Sequence, residues 1–264
     1  MARLRSLLLM DTEVVAFRTI FTKEIVRFMR IWIQTLVPPA ITMGLYFIIF
    51  GELLGKNLPP VNGISFMDYI VPGIILMAVI TNAYGNVVAS FFSTKHQHYV
   101  EEMIIAPIRP SIIVAGYVSG GIARGIVVAF IVGIVAMAFT EVKVEQPWLA
   151  GLVLVLTASL FSLGGFINAV FSKTFDDISI IPTFVLTPLT YLGGVFYSVE
   201  ILPALWRDVS ALNPILYMVN AFRYALLGTT DVDLGLSLAV ILAFNGVFAV
   251  IAVGLLRKGV GIKS

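Results

Sequence analysis

Tyr69-Ile70-Val71-Pro72-Gly73-Ile74-Ile75-Leu76-Met77-Ala78-Val79-Ile80-Thr81-Asn82-Ala83-Tyr84-Gly85-Asn86-Val87-Val88-Ala89-Ser90-Phe91-Phe92-Ser93-Thr94 is a stretch of 26 uncharged residues held between Asp68 and Lys95. A helix needs about 20 mostly apolar residues to cross the hydrocarbon of a bilayer, and this run exceeds that without a single charge. Outward from it, charge-free runs of comparable length recur at 31–51, 146–172, 178–199 and 234–256. A sixth, at 110–140, carries one charge, Arg124. Trimmed to their apolar cores, the spans are 31–51, 69–94, 111–139, 148–171, 178–199 and 234–256. A seventh run, 209–222, contains Asn213-Pro214 and is too short to cross. It reads as part of an external re-entrant segment over 200–228, with Trp206, Tyr217 and Tyr224 as interface anchors. Backbone that enters a membrane without crossing it must be shielded by protein or water.

Composition agrees. Hydrophobic residues make up 59% of the chain and charged ones 12%, with a mean hydropathy of +1.00; soluble domains carry about twice that share of charge. A net charge of +2 gives no basic field for nucleic acid, and the absence of cysteine excludes disulfides, thiolate metal sites and cysteine nucleophiles. Six spans place both termini on one side. On that side lie Arg3, Arg5, Arg18, Lys23, Arg27, Arg30, Lys95, Arg109, Lys173, Arg257, Lys258 and Lys263; opposite lie only Lys56, Lys143, Arg207 and Arg223. The excess of cations makes the side of the termini cytoplasmic. No cleavable leader is expected, because Leu7-Leu8-Leu9-Met10 is a short apolar core followed at once by Asp11. The fold expected is therefore all-α: a polytopic membrane protein with six transmembrane helices, an N-terminal amphipathic interfacial helix and an external re-entrant segment between helices 5 and 6.

The interfacial helix is read over 12–30, where Val14, Phe17, Phe21, Ile25 and Phe28 fall at helical spacing and charges fill the other face. It serves as an anchor on membrane lipids or as a platform for a cytoplasmic partner. The loop 95–110 contains Glu101 and Glu102 beside Met103, Ile104 and Ile105, then Ala106-Pro107, which ends a short helix. Two acids beside large apolar residues suit a docking knob, though an ordinary interfacial turn has the same composition. His96 and His98 stand two residues apart with no further ligand type nearby, so no metal site is expected, and no catalytic residues are assigned.

Polar residues within the spans form three stripes: Thr35, Thr42 and Tyr46; Asn82, Asn86 and Ser90; Thr183, Thr187 and Thr190. Each is either a set of interhelical hydrogen bonds or the lining of a weakly polar path bounded by spans 1, 2 and 5. Pro182 and Pro188 are expected to loosen span 5. Arg124 is expected to pair structurally with a carboxylate or carbonyl, next to Gly120, Gly121 and Gly125, which permit close helix approach.

The order Gly193-Gly194-Val195-Phe196-Tyr197, Leu202-Pro203, Asn213-Pro214-Ile215-Leu216-Tyr217 and Phe222-Arg223, with the Glu101-Glu102…Ala106-Pro107 loop before Gly116, Gly120 and Gly121, resembles the ABC-2 family of exporter permeases across essentially the whole chain. Arg27-Phe28-Met29-Arg30-Ile31-Trp32 and Phe175-Asp176-Asp177-Ile178-Ser179 look most like bacterial inner-membrane members. The resemblance implies six spans, a homodimer, and ATP hydrolysed with magnesium on a separate ABC ATPase subunit. It also implies that this subunit docks at Glu101, Glu102, Met103, Ile104, Ile105, Ala106 and Pro107, aided by the N-terminal helix and by Asp176 and Asp177. The two aspartates equally suit helix capping. The chain has no phosphate loop of its own: Gly51-Glu52-Leu53-Leu54-Gly55-Lys56-Asn57 is one residue short and has Asn where Ser or Thr would meet magnesium. Cofactors are therefore expected on the partner alone, and cargo is expected to be amphipathic, lipid-like, a drug or a glycan. An ion-coupled transporter would need an acid at membrane depth, and all 15 acids are read as lying in loops or at span edges. A lipid-modifying enzyme would need a catalytic constellation that the two histidines do not form.

Overall fold

The computed structural model describes residues 2–55, 58–61 and 63–261, with backbone alone over 2–11. Lys56, Asn57 and Lys263, which entered the reading of charge and phosphate loop, lie outside the described residues, as do the side chains of Arg3 and Arg5.

Among the described residues the chain is helical, with one isolated bridge between Val61 and Ile64. In chain order the helices are α1 (Ala2–Arg30), α2 (Trp32–Leu54), α3 (Phe66–His96), α4 (Tyr99–Ile105), α5 (Pro110–Ala136), α6 (Pro147–Phe171), α7 (Asp177–Leu192), α8 (Ala204–Ala211), α9 (Pro214–Leu227) and α10 (Leu234–Lys258). Five of them, α2, α3, α5, α6 and α10, are long and apolar enough to cross a membrane; α7 is apolar but shorter.

Local chemistry sets the ends. Pro110, Pro147 and Pro214 open their helices where the missing N–H costs nothing. The side chains of Ser65, Asn213 and Asp233 accept from the first free N–H groups of α3, α9 and α10. Gly228 and Gly259 close α9 and α10 in the left-handed conformation that favours glycine.

α3 is the axis. The best-fitting apolar window of α3 is 83% buried, against 11% for α10, so α3 is surrounded by protein and α10 forms the rim. Small residues let α5 and α6 close on it. Gly125 faces Ala158, Val79 and Ala83, and a Cβ on Gly165 would lie 2.6 Å from the Tyr84 carbonyl oxygen. Backbone cannot yield as a side chain can. Gly165→Val is therefore expected to part α3 from α6 and cost about 1–3 kcal/mol, read as a lowered melting temperature of the detergent-solubilised protein; an unchanged melting point would show that the helices do not meet there.

Two boundaries depart from the sequence reading. Span 5, expected over 178–199, is helical only to Leu192, because Gly193 and Gly194 turn the chain, Gly194 at φ +71°. Within α7, Pro182–Leu186 is a wide π turn in which the Thr187 N–H and hydroxyl both reach the Pro182 carbonyl. The widening relieves the clash of the Pro188 ring with the turn before it. The N-terminal helix is also longer than 12–30, and it is not simply a surface helix. Its inward line is Ile20, Glu24 and Phe28, all buried, while Val14 is 66% exposed. Glycine spacing on α5 explains this: Ile20 packs on Gly116 and Glu24 on Gly120, so α1 lies in a notch whose two glycines stand four residues, about one helical turn, apart.

Candidate functional site

One end of the bundle gathers Lys95, Arg109, Lys173, Arg257 and Lys258 and is here termed the basic end. There α3 ends, His98 adopts φ +64°, and α4 begins. Glu101, Glu102, Ile104, Ile105 and Pro107 are exposed, Ile105 at 85%; Met103 and Ala106 are half-buried against the bundle. His98 Nδ1 lies 3.0 Å from Glu101 Oε1. The helix stops at Ala106, which is extended ahead of Pro107.

This knob is pinned on both sides. Lys95 Nζ donates to the carbonyls of Ala169 (3.1 Å), Val170 (2.6 Å) and Ser172 (2.6 Å), which caps the end of α6. Arg109 Nε pairs with Glu13 Oε1 of α1 at 3.0 Å. The loop after α6 lies against the same place, with the Phe175 ring edge-on to Phe92 at 4.9 Å and to His96 at 5.4 Å. Asp177 accepts from the Lys173 and Thr174 N–H groups at 2.8 and 2.9 Å, and these bonds hold its carboxyl below the usual range. Its capping role is thus built into the loop, whereas the Asp176 side chain makes no cap hydrogen bond. The structure brings 95–107, 172–177 and α1 together at one end.

The polar stripes divide. Thr35, Asn82, Asn86, Ser90 and Thr190 are buried; Thr42, Thr183 and Thr187 are exposed, and Tyr46 half so. On the outward face, between α2 and α7, the Tyr46 and Tyr191 hydroxyls meet at 3.2 Å, and Phe196 stacks on Phe50 at 4.6 Å. The α3 stripe turns inward instead. Ser90 Oγ donates to Glu24 Oε1, Asn86 Nδ2 to Glu24 Oε2 at 3.4 Å, and Arg27 Nη2 bridges Glu24 Oε2 (3.1 Å) and Asn86 Oδ1 (2.8 Å). Glu24 is 0% exposed. One turn on, Lys23 Nζ reaches Thr94 (3.2 Å) and Tyr117 (3.4 Å), and partial burial lowers its pKa. Asn86 and Ser90 are therefore a socket for α1, and Asn82 turns to Arg124, so in this structure the stripe makes interhelical hydrogen bonds, the first of its two readings.

Arg124 Nη2 donates to the Thr35 carbonyl (3.1 Å) and Asn82 Oδ1 (2.9 Å), a structural pairing with carbonyl groups. At the opposite end of the bundle lies a second buried charge, within the segment 200–228 that the sequence reading makes re-entrant. Arg223, wholly buried, donates from Nη2 to the Gly194 carbonyl at 2.7 Å and lies 3.9 Å above the Tyr69 ring. Asp231 Oδ2, 3.9 Å from Arg223 Nη1, accepts from Tyr69 (3.1 Å) and Ser198 (2.8 Å). This cluster ties α9 to α3 and to the turn after α7. Helix α9 is itself buried along most of its length.

A bundle of long apolar helices is the architecture of a polytopic membrane protein, and the chain belongs to the ABC-2 type transporter family, whose pattern matches residues 15–227. Over 250 residues it is 54% identical to the inner membrane transport permease YadH of Escherichia coli (strain K12), spanning 95% of this chain and 98% of that protein. It is also similar to nodulation protein J of Rhizobium leguminosarum bv. viciae, 24% identical over 221 residues, covering 81% of this chain and 83% of that one.

Proposed function

We propose that the chain is the permease subunit of an ATP-binding cassette exporter in a bacterial inner membrane, with six spans and both termini cytoplasmic. Two copies form the route, and a separate ABC ATPase, holding ATP and magnesium, drives it. The observation that carries this reading is α4: Ile105 stands almost free in solvent one turn beyond the exposed Glu101 and Glu102, yet the helix is fastened to α6 through Lys95 and to α1 through Arg109. An apolar side chain so exposed on a braced support fits a partner's pocket. In the dimer the outward face of Thr42, Tyr46, Thr183 and Thr187 supplies a weakly polar, aromatic wall, which suits amphipathic, lipid-like, drug or glycan cargo. Ile105→Asp is expected to weaken recovery of the ATPase subunit in mild detergent by about tenfold or more, the scale of a lost interface hot spot, while the permease keeps its melting temperature. Undiminished recovery would overturn the docking role.

One observation favours a second reading. Glu24 is an acid buried against a membrane helix, as ion coupling requires, and it corrects the expectation that every acid lies in a loop or at a span edge. Its pairing with Arg27 weighs against it as an open proton site. Transport that persists without ATP and stops with an uncoupler would select this reading.

A further inference from the structure

Six glycines on α5 and α6 behave in two opposite ways. At Gly116, Gly120, Gly121 and Gly165 an added Cβ would strike a neighbour, so these positions serve packing. At Gly133 and Gly151 it would meet nothing within 4 Å. Those two glycines leave space, and the space is an apolar groove of about 440 Å³ between α5 and α6, closed at its back by Phe222 and Leu226. The chain 141–145, which has no regular secondary structure, runs along its mouth and divides its side chains between two hollows. Val142 and Val144 point into the groove; Glu141, Lys143 and Glu145 line an adjoining polar pocket of about 450 Å³ that shares Leu226 as a wall. Among the described residues, no hydrogen bond or ion pair engages the side chains of these three charged residues. Trp148, 93% exposed at the start of α6, marks the level where headgroups meet hydrocarbon.

We infer that this surface holds one phospholipid with a primary-amine headgroup, its acyl chain in the α5–α6 groove and its headgroup among Glu141, Lys143 and Glu145. The charge pattern matches that headgroup. A phosphate pairs with the single cation, Lys143, and an ammonium beyond it donates to the flanking carboxylates. An anionic lipid without an amine would meet three acids, Asp68 of the same pocket included, for one lysine. A quaternary ammonium has no N–H to give them. The inference stands apart from ATPase coupling and from the direction of transport.

The test is native mass spectrometry of the intact protein in detergent, with dioleoyl phosphatidylethanolamine, phosphatidylcholine and phosphatidylglycerol added in equal amounts. Phosphatidylethanolamine is expected to be retained about tenfold over the other two, the scale of one charge-assisted hydrogen bond. In the paired variant Gly133→Leu, Gly151→Leu, whose new side chains enter open space, retention of all three is expected to collapse. In Lys143→Ala, Glu145→Gln, both near the surface, only the preference among headgroups is expected to go. Equal retention of the three lipids by the unaltered protein, or unchanged retention with the groove filled, would overturn the inference.

Discussion

Glu24→Ala is expected to lower the melting temperature of the solubilised protein on the order of 10 °C, corresponding to roughly 3 kcal/mol. The substitution keeps the Cβ on Gly120 but removes the rest of the side chain, strips Ser90 and Asn86 of their acceptor, and leaves Arg27 charged beside α3 with only Asn86 to hold it. Breaking one half of a buried pair costs more than the pair itself contributes, because the remaining charge keeps its desolvation penalty. Glu24→Gln keeps the shape and most acceptor bonds, so a smaller loss is expected. Pairing Glu24→Leu with Arg27→Met removes both charges and is expected to regain much of it. Were α1 only a surface anchor, all three variants would stay within about 0.5 kcal/mol of the unaltered protein.

Arg223→Met is expected to be at least as damaging, at about 3–5 kcal/mol, and to appear as loss of monodisperse protein in gel filtration. It leaves Asp231 buried against Tyr69 and Ser198 with its cation gone and frees the Gly194 carbonyl at the turn. Arg223→Lys is not expected to rescue, since a single ammonium cannot both reach the Gly194 carbonyl and lie flat over the Tyr69 ring. Adding Asp231→Asn to Arg223→Met removes the stranded charge while Tyr69 and Ser198 keep an acceptor, and recovery is expected. Full recovery with Arg223→Lys alone would show that charge, and not the guanidinium's shape, holds α9 in place.

The long helices were legible because charge-free length is the dominant signal in a bilayer: 69–94 grew only to Phe66–His96, and 234–256 only to Leu234–Lys258. Arg124 was legible too, since an intramembrane cation must find oxygen. What the sequence concealed was which charges leave the surface. Periodicity assigns Glu24 to the wet side of α1, and only the notch of Gly116 and Gly120 on a helix some ninety residues later turns it inward. The clue was the Asn86–Ser90 face, which needs a partner as polar as itself. Arg223 and Asp231 looked like loop charges because the run 209–222 is too short to cross. That shortness says nothing of burial, and α9 is buried. The end of span 5 was misplaced because 193–199 is as apolar as a helix, while its two glycines bend it.

Lys95 has a mechanical consequence. Three carbonyls at the foot of α6 converge on one ammonium carried by α3, so these two staves cannot slide past each other without breaking three charge-assisted bonds at once. On the docking proposed above, a thrust at Ile105 would have two load paths, one shared by that pair of staves and one across the Arg109–Glu13 strut to α1, whose arginine is exposed. The first is stiff and the second, bathed in salt, is weak. On that proposal, torque at the knob would turn the inner bundle as a block before it lifted the outer arm.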